Sequence, residues 1–407
     1  MTSPRDLSIA DFTYVLPEAH VAQQPLGDRD ASRLLVYKDG RIRDHPFVDL
    51  PELLPKGALL VLNNTRVVNA RLFLYRESGA RIEVLCLEPW AGVPVEQAFA
   101  QQGRCEWHAF TGNSKRWKND EELVVRAMEL ELKAARNGPE RIAFSWTPTS
   151  LTFAEVLERI GHVPLPPYMK RPDEDSDKER YNTVFARHEG SVAAPTASLH
   201  FTPGLLGRIQ ARGIGMAELT LHVGAGTFLP VKSELMKDHA MHREQVRVPL
   251  RALELLRERL GNGPVIPIGT TALRTLESIY WHGAELLFGT GGPELDIGQW
   301  EPYEHSQEGL PTPIEALDAV IHQVRSKPDQ RLIGSTAMLI APGYDFRFAD
   351  ALVTNFHQPQ STLLLLVAAF LGPDWRAIYE HALASGYRFL SYGDTSLLFR
   401  NDQRSRS

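Results

Sequence analysis

Polar side chains able to transfer protons or bind a ligand lie in three irregular segments of the chain. Residues 190–202, 219–228 and 353–362 each combine apolar positions with glycine, threonine, asparagine or proline. No helical or strand period runs through these loops, so packing alone does not account for their composition. Loops held on a rigid scaffold are where binding and chemistry concentrate. We predict that they build one site with a histidine from each, namely His200, His222 and His357.

Two further patterns have competing interpretations. His239 and His242, with Glu244 nearby, could bind a metal, but no HExxH pattern or cysteine ligand accompanies them. We favour a polar wall or surface histidines and predict no metal site. Residues 224–227 resemble half of a dinucleotide fingerprint whose third glycine is missing. They indicate either a simple turn or a tight ligand-facing loop with Thr227 as a hydroxyl donor.

Thr270 and Thr271 follow an apolar strand and predict the start of a helix that ends near Gly283. The free N–H groups of a helix start attract a carboxylate or a phosphate. Arg274, one turn further on, could add its charge to such a site. In the alternative interpretation, Arg274 pairs with Glu277 along the surface of an ordinary capped helix.

Other candidates for acid–base work lie towards the end of the chain. His357 and Asn355 share a loop that precedes a buried helix, and a histidine near a strand end can act as acid or base. Arg388, Tyr392 and Asp394 then cluster close to the C-terminus, where a terminal strand normally carries fewer such groups.

The overall charge does not indicate a nucleic-acid-binding protein. The formal net charge is -6 and the pI is about 6.2, whereas such proteins usually present a basic face. One local cluster is basic and has tryptophans interleaved with its charges, a combination that can hold a nucleic-acid backbone and stack bases. A solvated basic loop is an equal alternative. The cluster consists of Lys115, Arg116 and Lys118, with Trp107 and Trp117.

Length and composition indicate a two-domain soluble protein. The chain has 407 residues, of which 43% are hydrophobic and 23% charged. Its two cysteines, Cys86 and Cys105, form no CxxC pair, so neither a disulfide framework nor a zinc site is expected. The first residues lack the apolar stretch of a signal peptide, and the apolar run 363–371 is too short to span a bilayer. We expect a cytoplasmic protein with a buried helix there.

The pattern of strands and helices along the chain predicts an α/β fold with an inserted domain. Short strands separated by turns over residues 72–150 indicate a small all-β, barrel-like domain. Residues 1–71 and 151–407 alternate strands and helices and predict one large mixed α/β domain, within which 289–313 form a surface excursion. In such a domain, ligands bind beyond the carboxyl ends of the strands.

Many segments together resemble one family, the S-adenosylmethionine:tRNA ribosyltransferase-isomerases of queuosine biosynthesis. The resemblance runs over nearly the whole chain, and so many motifs in one order are highly specific. Differences from the residues usual in the family, at Asn182, Ser198 and Gln358, indicate a side branch. The matching segments are residues 22–25, 29–36, 63–71, 161–168, 190–202, 221–228, 241–244, 269–274, 354–357 and 391–394.

The resemblance implies a reaction and its partners. The ribosyl group of S-adenosylmethionine is transferred to the aminomethyl group of 7-aminomethyl-7-deazaguanine at the tRNA wobble position and isomerised. The product is epoxyqueuosine in tRNA, and adenine and methionine leave. S-adenosylmethionine is thus a consumed co-substrate, and no cofactor or membrane is implied. We expect a monomer or small homo-oligomer that binds the tRNA anticodon loop.

This reaction needs a base and an acid but no metal, since a sulfonium already leaves readily. For proton transfer we expect His222, His357 and Asp394. For substrate binding we expect Arg274, Thr270 and Thr271 at the methionine carboxylate, His200 and Asn355 at the ribose or base, and Thr227 and Tyr392 nearby. For tRNA binding we expect Lys115, Arg116 and Lys118. The alternative, which the negative charge favours, is an S-adenosylmethionine-dependent transferase acting on a non-tRNA or small-molecule acceptor.

Overall fold

The computed structural model of the protein describes residues 3–118, 121–224, 231–306 and 308–400. Its strands, in chain order, are β1 (Arg33–Lys38), β2 (Arg41–Pro46), β3 (Leu59–Asn63), β4 (Thr65–Val67), β5 (Arg71–Tyr75), β6 (Arg81–Pro89), β7 (Arg104–Gly112), β8 (Leu123–Ala127), β9 (Leu130–Arg136), β10 (Arg141–Thr147), β11 (His188–Ser191), β12 (Gly215–Leu221), β13 (Glu244–Pro249), β14 (Val265–Pro267), β15 (Leu295–Ile297), β16 (Arg331–Thr336), β17 (Ala351–Asn355) and β18 (Thr395–Phe399). Its α-helices are α1 (Leu50–Leu53), α2 (Val95–Ala100), α3 (Phe153–Ile160), α4 (Asp175–Arg180), α5 (Pro203–Ala211), α6 (Leu250–Arg259), α7 (Thr270–Phe288), α8 (Glu301–Glu304), α9 (Pro313–Arg325), α10 (Thr362–Leu371) and α11 (Trp375–Ala384).

Two sheets form the framework of the large domain. The larger has the strand order β14-β3-β12-β13-β16-β15, in which β14, β3 and β12 are parallel and β13 is antiparallel to both neighbours. Every residue of β3 is buried, as expected for a parallel strand covered on both faces. The smaller sheet has the order β17-β18-β1-β2. Sheets and helices in one domain confirm the predicted α/β class.

Backbone contacts join the two sheets at β14 and β17, among them a hydrogen bond from the Asp350 N–H to the Val265 carbonyl oxygen at 2.9 Å. Ile268 and Val353 form an isolated parallel bridge, and the Gly269 N–H donates to the Val353 carbonyl oxygen at 2.7 Å. The segment that follows β14 therefore runs beside β17. As a result, the start of α7 and the loop after β17 leave the sheets side by side.

The long helix α7 crosses the interior of the large domain. Residues 270–284 are all buried, and the helix ends at Phe288, followed by Gly289 with a φ of 75°. The predicted end near Gly283 is therefore wrong. A Cβ at Gly283 would lie 2.2 Å from the Ala316 carbonyl oxygen of α9. This glycine lets two helices approach closely instead of ending one of them.

Residues 289–313 are more than the predicted surface excursion. They contain β15, which pairs with β16 at the edge of the larger sheet, and the short helix α8. Sequence periodicity could not reveal this strand because it has only three residues, with a buried, exposed, buried pattern.

The apolar run near residue 363 forms a core helix. Among the described residues, one helical stretch, 362–384, has the length and composition of a possible membrane span, and 56% of its apolar window is buried inside the protein. Leu364, Leu365 and Val367 pack in the main hydrophobic core. This burial agrees with the buried helix predicted for residues 363–371.

Strands β5 to β10 form the inserted barrel. They close in the order β10-β7-β6-β5-β8-β9, with every neighbouring pair antiparallel. Arg71, at the start of β5, and His162, after α3, form an antiparallel bridge. The N–H of each donates to the carbonyl oxygen of the other, at 3.3 and 2.8 Å. The chain thus enters and leaves the barrel region at neighbouring positions.

Helix α3 packs on the barrel rather than on the large sheet. Phe153, its first residue, is fully buried in the barrel core. Its ring centroid lies 5.5 Å from Trp107, 5.4 Å from Phe144 and 5.5 Å from Trp146. The helix therefore supplies a central side chain of the barrel core.

Replacing Phe153 by alanine should destabilise the barrel, because it leaves a cavity among three aromatic rings. We expect a loss of about 3–5 kcal/mol in the free energy of unfolding, measured by urea denaturation with tryptophan fluorescence. Phe110→Ala is the matched control, since this barrel side chain is 60% exposed, and it should cost less than about 1 kcal/mol. Equal losses in the two variants would contradict a central role for Phe153.

Candidate active site

A cavity opens where β12, β14 and β17 end. It encloses about 660 Å³ of space between atoms, part of it open to solvent. This position, beyond the carboxyl ends of parallel strands, is where open α/β sheets bind ligands. Four predicted site residues line the cavity together, namely Thr270, Thr271, Asn355 and His357.

His357 is held firmly at the wall of this cavity. Its Nε2 lies 2.9 Å from Thr354 Oγ1. Its backbone N–H donates to the Tyr379 hydroxyl at 3.1 Å, and the Tyr14 hydroxyl donates to its carbonyl oxygen. Burial lowers the pKa of His357 to about 3. The imidazole is therefore neutral at pH 7, and one ring nitrogen keeps its lone pair.

Asn355 and three hydroxyl groups add further polar atoms. The Thr196 hydroxyl donates to Asn355 Oδ1 at 2.7 Å, and Asn355 Nδ2 donates to the Asp394 carbonyl oxygen at 3.3 Å. Tyr168 and Ser391, which also line the cavity, share a hydroxyl–hydroxyl hydrogen bond of 2.5 Å. Sequence reasoning missed Thr196, Tyr168 and Ser391, because a hydroxyl in an irregular segment has no periodic signal.

The first turn of α7 faces the cavity. Gly269, Thr270 and Thr271 all contribute to its lining, and Gly269, rather than either threonine, is the N-cap. The N–H groups and the positive dipole end of this helix favour a negatively charged ligand group. This part of the prediction is consistent with the geometry.

Arg274 does not line the cavity. Its guanidinium forms an ion pair with the buried Glu244 carboxylate, and burial lowers its pKa to about 10. The predicted pairing with Glu277 is wrong. Glu277 instead accepts hydrogen bonds from the Tyr344 hydroxyl and from the backbone N–H groups of residues 347–349. Arg274 is therefore not positioned to hold a carboxylate in the cavity.

Asp394 is buried outside the cavity. Its two carboxylate oxygens accept the backbone N–H groups of Arg33 and Arg388, each at 2.8 Å. Burial raises its pKa, and these hydrogen bonds oppose the rise. The carboxylate thus ties the start of β1 to the turn before β18, a structural contact in place of the predicted proton transfer.

His200 and Tyr392 lie in a separate small cavity. It is also lined by Arg29 and Arg180. His200 Nδ1 lies 3.3 Å from the Arg29 carbonyl oxygen, and the Tyr392 hydroxyl donates to Asp177 at 2.8 Å. The structure does not bring these two residues to the cavity that contains His357. The three predicted loops do meet there, because residues 193–197, Val223 and the loop after β17 all line that cavity. The expectation that His200 faces it is wrong.

A wider cleft separates the barrel from the larger sheet and contains His222. His108 and Phe110 of β7 line one side, and His222 and Arg243 line the other. Val223 lines both the cleft and the cavity. The two spaces therefore share a wall, and His222 is one residue away from the cavity in sequence.

Phe110 is a cleft residue that sequence reasoning missed. It is 60% exposed, whereas Trp107 and Ala109 of the same strand are buried. The available signal was the alternation of β7, in which every second side chain points away from the barrel core. An aromatic ring at an outward position is not explained by core packing and can mark a binding surface.

The basic cluster lies at the edge of this cleft. Lys115, Arg116 and Lys118 are exposed in and just after a 3₁₀ turn that follows β7, and Ser114, the preceding residue, lines the cleft. The predicted base stacking by tryptophans is wrong, because two aromatic side chains are only 2% exposed each and belong to the barrel core, namely Trp107 and Trp117.

Two further predictions concern Thr227 and a metal site. Thr227 and the rest of residues 225–230 lie outside the described part of the chain. Within residues 3–118, 121–224, 231–306 and 308–400, no three His, Cys, Asp or Glu side chains are placed to hold a metal ion. Glu244, the acid near His239 and His242, contacts Arg274.

The fold and the cavity define an α/β protein with an inserted β-barrel and a ligand site at the strand ends. A family model described as queuosine biosynthesis protein matches residues 9–398. The chain belongs to this queuosine biosynthesis family, which confirms the family that the sequence motifs indicated.

Similar proteins cover the chain from end to end. The S-adenosylmethionine:tRNA ribosyltransferase-isomerase of Azoarcus sp. (strain BH72) is 41% identical over 398 residues, which are 97% of this chain and 99% of that protein. The protein of the same name from Anaeromyxobacter sp. (strain Fw109-5) is 39% identical over 97% of this chain and 100% of that protein. A crystal structure of S-adenosylmethionine tRNA ribosyltransferase from Thermotoga maritima is 28% identical, covers 96% of this chain and 100% of that chain, and has a TM-score of 0.46.

The buried histidines should make stability fall in mild acid. Burial lowers the pKa of His200 and His222 to about 4 and that of His357 to about 3. The pKa of a histidine in an unfolded chain is about 6.5. Between these values the unfolded chain binds more protons, so stability is full above about pH 6.5 and is lost as the pH falls.

His200→Asn should reduce this pH dependence. Asparagine can still donate to the Arg29 carbonyl oxygen but cannot take up the proton, so the slope should fall by up to about 1.4 kcal/mol per pH unit. Urea unfolding from pH 6.5 to 4.5 measures it. Burial raises the pKa of Glu285 to about 7, so its titration changes the stability in the opposite direction. This contribution is the same in wild type and variant and cancels when their slopes are subtracted. Identical slopes would contradict a neutral buried His200.

Proposed function

We propose that the protein transfers and isomerises the ribosyl group of S-adenosylmethionine onto 7-aminomethyl-7-deazaguanine at the tRNA wobble position. The observation that carries this proposal is the 39–41% identity, over almost the full length of both chains, to proteins named S-adenosylmethionine:tRNA ribosyltransferase-isomerase. The products are epoxyqueuosine in tRNA, adenine and methionine. A tRNA substrate implies a cytoplasmic location.

The cavity suits S-adenosylmethionine. It lies beyond the carboxyl ends of parallel strands, and the α7 start offers N–H groups to the methionine carboxylate. Asn355, Thr196 and Ser391 offer amide and hydroxyl groups to the ribose and adenine. S-adenosylmethionine is consumed as a co-substrate, and the proposal includes no further cofactor, because the sulfonium itself activates the neighbouring carbon and leaves as a thioether.

His357 is our candidate for proton transfer in the cavity. The reaction removes a proton from a carbon or an amine and delivers one to the departing adenine. The neutral imidazole keeps one nitrogen lone pair that can take up a proton, and the imidazolium that forms after uptake is a strong acid, because burial disfavours its charge. Such a group can return the proton readily to the leaving base.

The cleft suits the tRNA acceptor. Its wall is shared with the cavity through Val223, so a base in the cleft would lie next to the ribosyl group. The exposed ring of Phe110 offers a stacking surface, and single-stranded loops are recognised by stacking splayed bases on aromatic rings. Lys115, Arg116 and Lys118 lie where they could contact the phosphates that flank this base.

The decisive experiment measures both products. The protein is incubated with S-adenosylmethionine and tRNA that carries the deazaguanine amine, and adenine release and the mass of the tRNA are followed. We expect adenine and a heavier tRNA in equal amounts. Adenine without modified tRNA would favour the alternative, a transferase with a non-tRNA or small-molecule acceptor. No adenine from any tRNA would refute the proposal.

His357→Gln should slow adenine release by about 10²–10⁴-fold, the usual size of a general acid–base contribution. Glutamine keeps a polar group in the cavity, so the KM for S-adenosylmethionine should change much less than kcat. His381→Gln is the matched control, because His381 is a surface histidine paired with Asp44. A rate within a few-fold of wild type for both variants would remove His357 from proton transfer.

Reversing the basic cluster should weaken tRNA binding and its salt dependence. Each phosphate contact contributes about -0.7 to -0.9 to the slope of log K against log salt. A Lys115→Glu, Arg116→Glu, Lys118→Glu variant should therefore lose up to about 2–3 units of slope, measured by fluorescence anisotropy. Arg41→Glu with Arg43→Glu, two exposed changes on β2, should leave the slope unchanged. Parallel slopes for all three proteins would place tRNA elsewhere.

A further inference from the structure

His222 is held at the edge of the cleft by its two neighbours. Its Nδ1 lies 2.9 Å from Thr65 Oγ1. On the same side, a Cβ at Gly190 would be 2.6 Å from both Nδ1 and Cε1, so only glycine leaves room for the ring. Asn63, through two 3.0 Å hydrogen bonds to the Leu221 backbone, fixes the strand end from which His222 projects. The ring has little freedom to rotate.

Thr65 also determines which ring nitrogen carries the proton. Its hydroxyl lies 3.4 Å from the His188 carbonyl oxygen, which can only accept. When the hydroxyl donates to that carbonyl, its oxygen must accept from His222, and Nδ1 is the protonated nitrogen. The lone pair then belongs to Nε2. Both hydrogen bonds are satisfied only in this arrangement.

Nε2 is the unused polar atom of this ring. His222 is 5% exposed, and its Nε2 is buried with no hydrogen-bond partner among the described residues. A buried acceptor without a partner costs about 1–3 kcal/mol. A ligand N–H group at this point would remove that cost.

The ring stays neutral at physiological pH. Burial, together with the positive charge of Arg247, lowers the pKa of His222 to about 4 against the opposing effect of Glu96. The acceptor lone pair is therefore constant from about pH 5.5 upwards. The charged and titratable groups around the ring are Glu96 on α2, His188 on β11, Arg247 on β13, and His108, Glu88, Glu140, His242 and Arg243 along the cleft.

We propose that His222 Nε2 accepts a hydrogen bond from the aminomethyl N–H of the acceptor base and thereby selects that base over guanine. Thr65 is a positioning residue that fixes the tautomer. This inference rests on the proposed function and assigns His222 to recognition instead of the proton transfer expected from sequence. A base without an N–H at this position leaves Nε2 unpaired, and such unpaired groups are a strong source of discrimination.

The test compares binding of two labelled anticodon stem-loops that differ only at the wobble base, which is guanine or the deazaguanine amine. Wild type should prefer the amine by about fivefold or more. His222→Phe, which keeps a ring without an acceptor, should lose the preference and keep the affinity for the guanine stem-loop. The preference of wild type should not change between pH 5.5 and 8.5.

A second set of variants separates recognition from folding. Thr65→Val removes the hydroxyl and should lose the preference, whereas Thr65→Ser keeps the hydroxyl and should retain it. Thr220→Val is the matched control, because the Thr220 hydroxyl donates to Asn64 at 2.7 Å in the same sheet and does not contact His222. Its preference should equal that of wild type.

Three results would overturn the inference. They are equal preference in Thr65→Val and Thr65→Ser, an unchanged preference in His222→Phe, and a wild-type preference that disappears above pH 7. Adenine release, measured in the same samples, reports the proposed function separately. Release by wild type with unchanged preference in the variants overturns the role of His222 alone, whereas preference without any release counts against the proposed catalysis and supports the role of His222.

Discussion

The site depends on the backbone contacts that join the two sheets. Ile268 and Val353 pair in parallel, and the Gly269 N–H donates to the Val353 carbonyl oxygen at 2.7 Å. A second hydrogen bond, from the Asp350 N–H to the Val265 carbonyl oxygen at 2.9 Å, joins the same two strands. Together these contacts fix the helix start at Thr270 beside the loop that carries His357. A positive helix end, which favours a negatively charged ligand group, and a neutral imidazole therefore face the same space.

Burial gives the histidines of this protein their chemical character. His200, His222 and His357 are all removed from water, and the pKa of each falls well below its usual value. A neutral imidazole does not repel a sulfonium or an ammonium, so these rings present no positive charge to a cationic substrate. The contacts then differentiate the three rings. His357 touches the cavity, His222 touches the cleft, and His200 contacts a backbone carbonyl in a cavity of its own.

The predictions from sequence that hold concern composition and period. The buried strand β3, the barrel and the helix at residue 363 follow from apolar runs and alternation, which depend on local sequence. The position of Arg274 could not be predicted, because its partner Glu244 is thirty residues away on β13. The structural contact of Asp394 could not be predicted either. In sequence, a carboxylate that accepts two backbone N–H groups cannot be distinguished from a catalytic acid. Phe110 was identifiable in principle, but only once the alternation of β7 was known.

The paired connection at the base of the barrel makes the insertion a separate unit of the fold. Arg71 and His162 exchange two backbone hydrogen bonds, and antiparallel partners of this kind lie about 5.5 Å apart. A gap of that width is one that a tight turn can close, so the sheets of the large domain do not need the barrel to hold this junction together. The barrel has a core of its own and adds one wall to the cleft. Sequence changes on that wall can therefore alter the cleft without moving the strand ends that form the cavity.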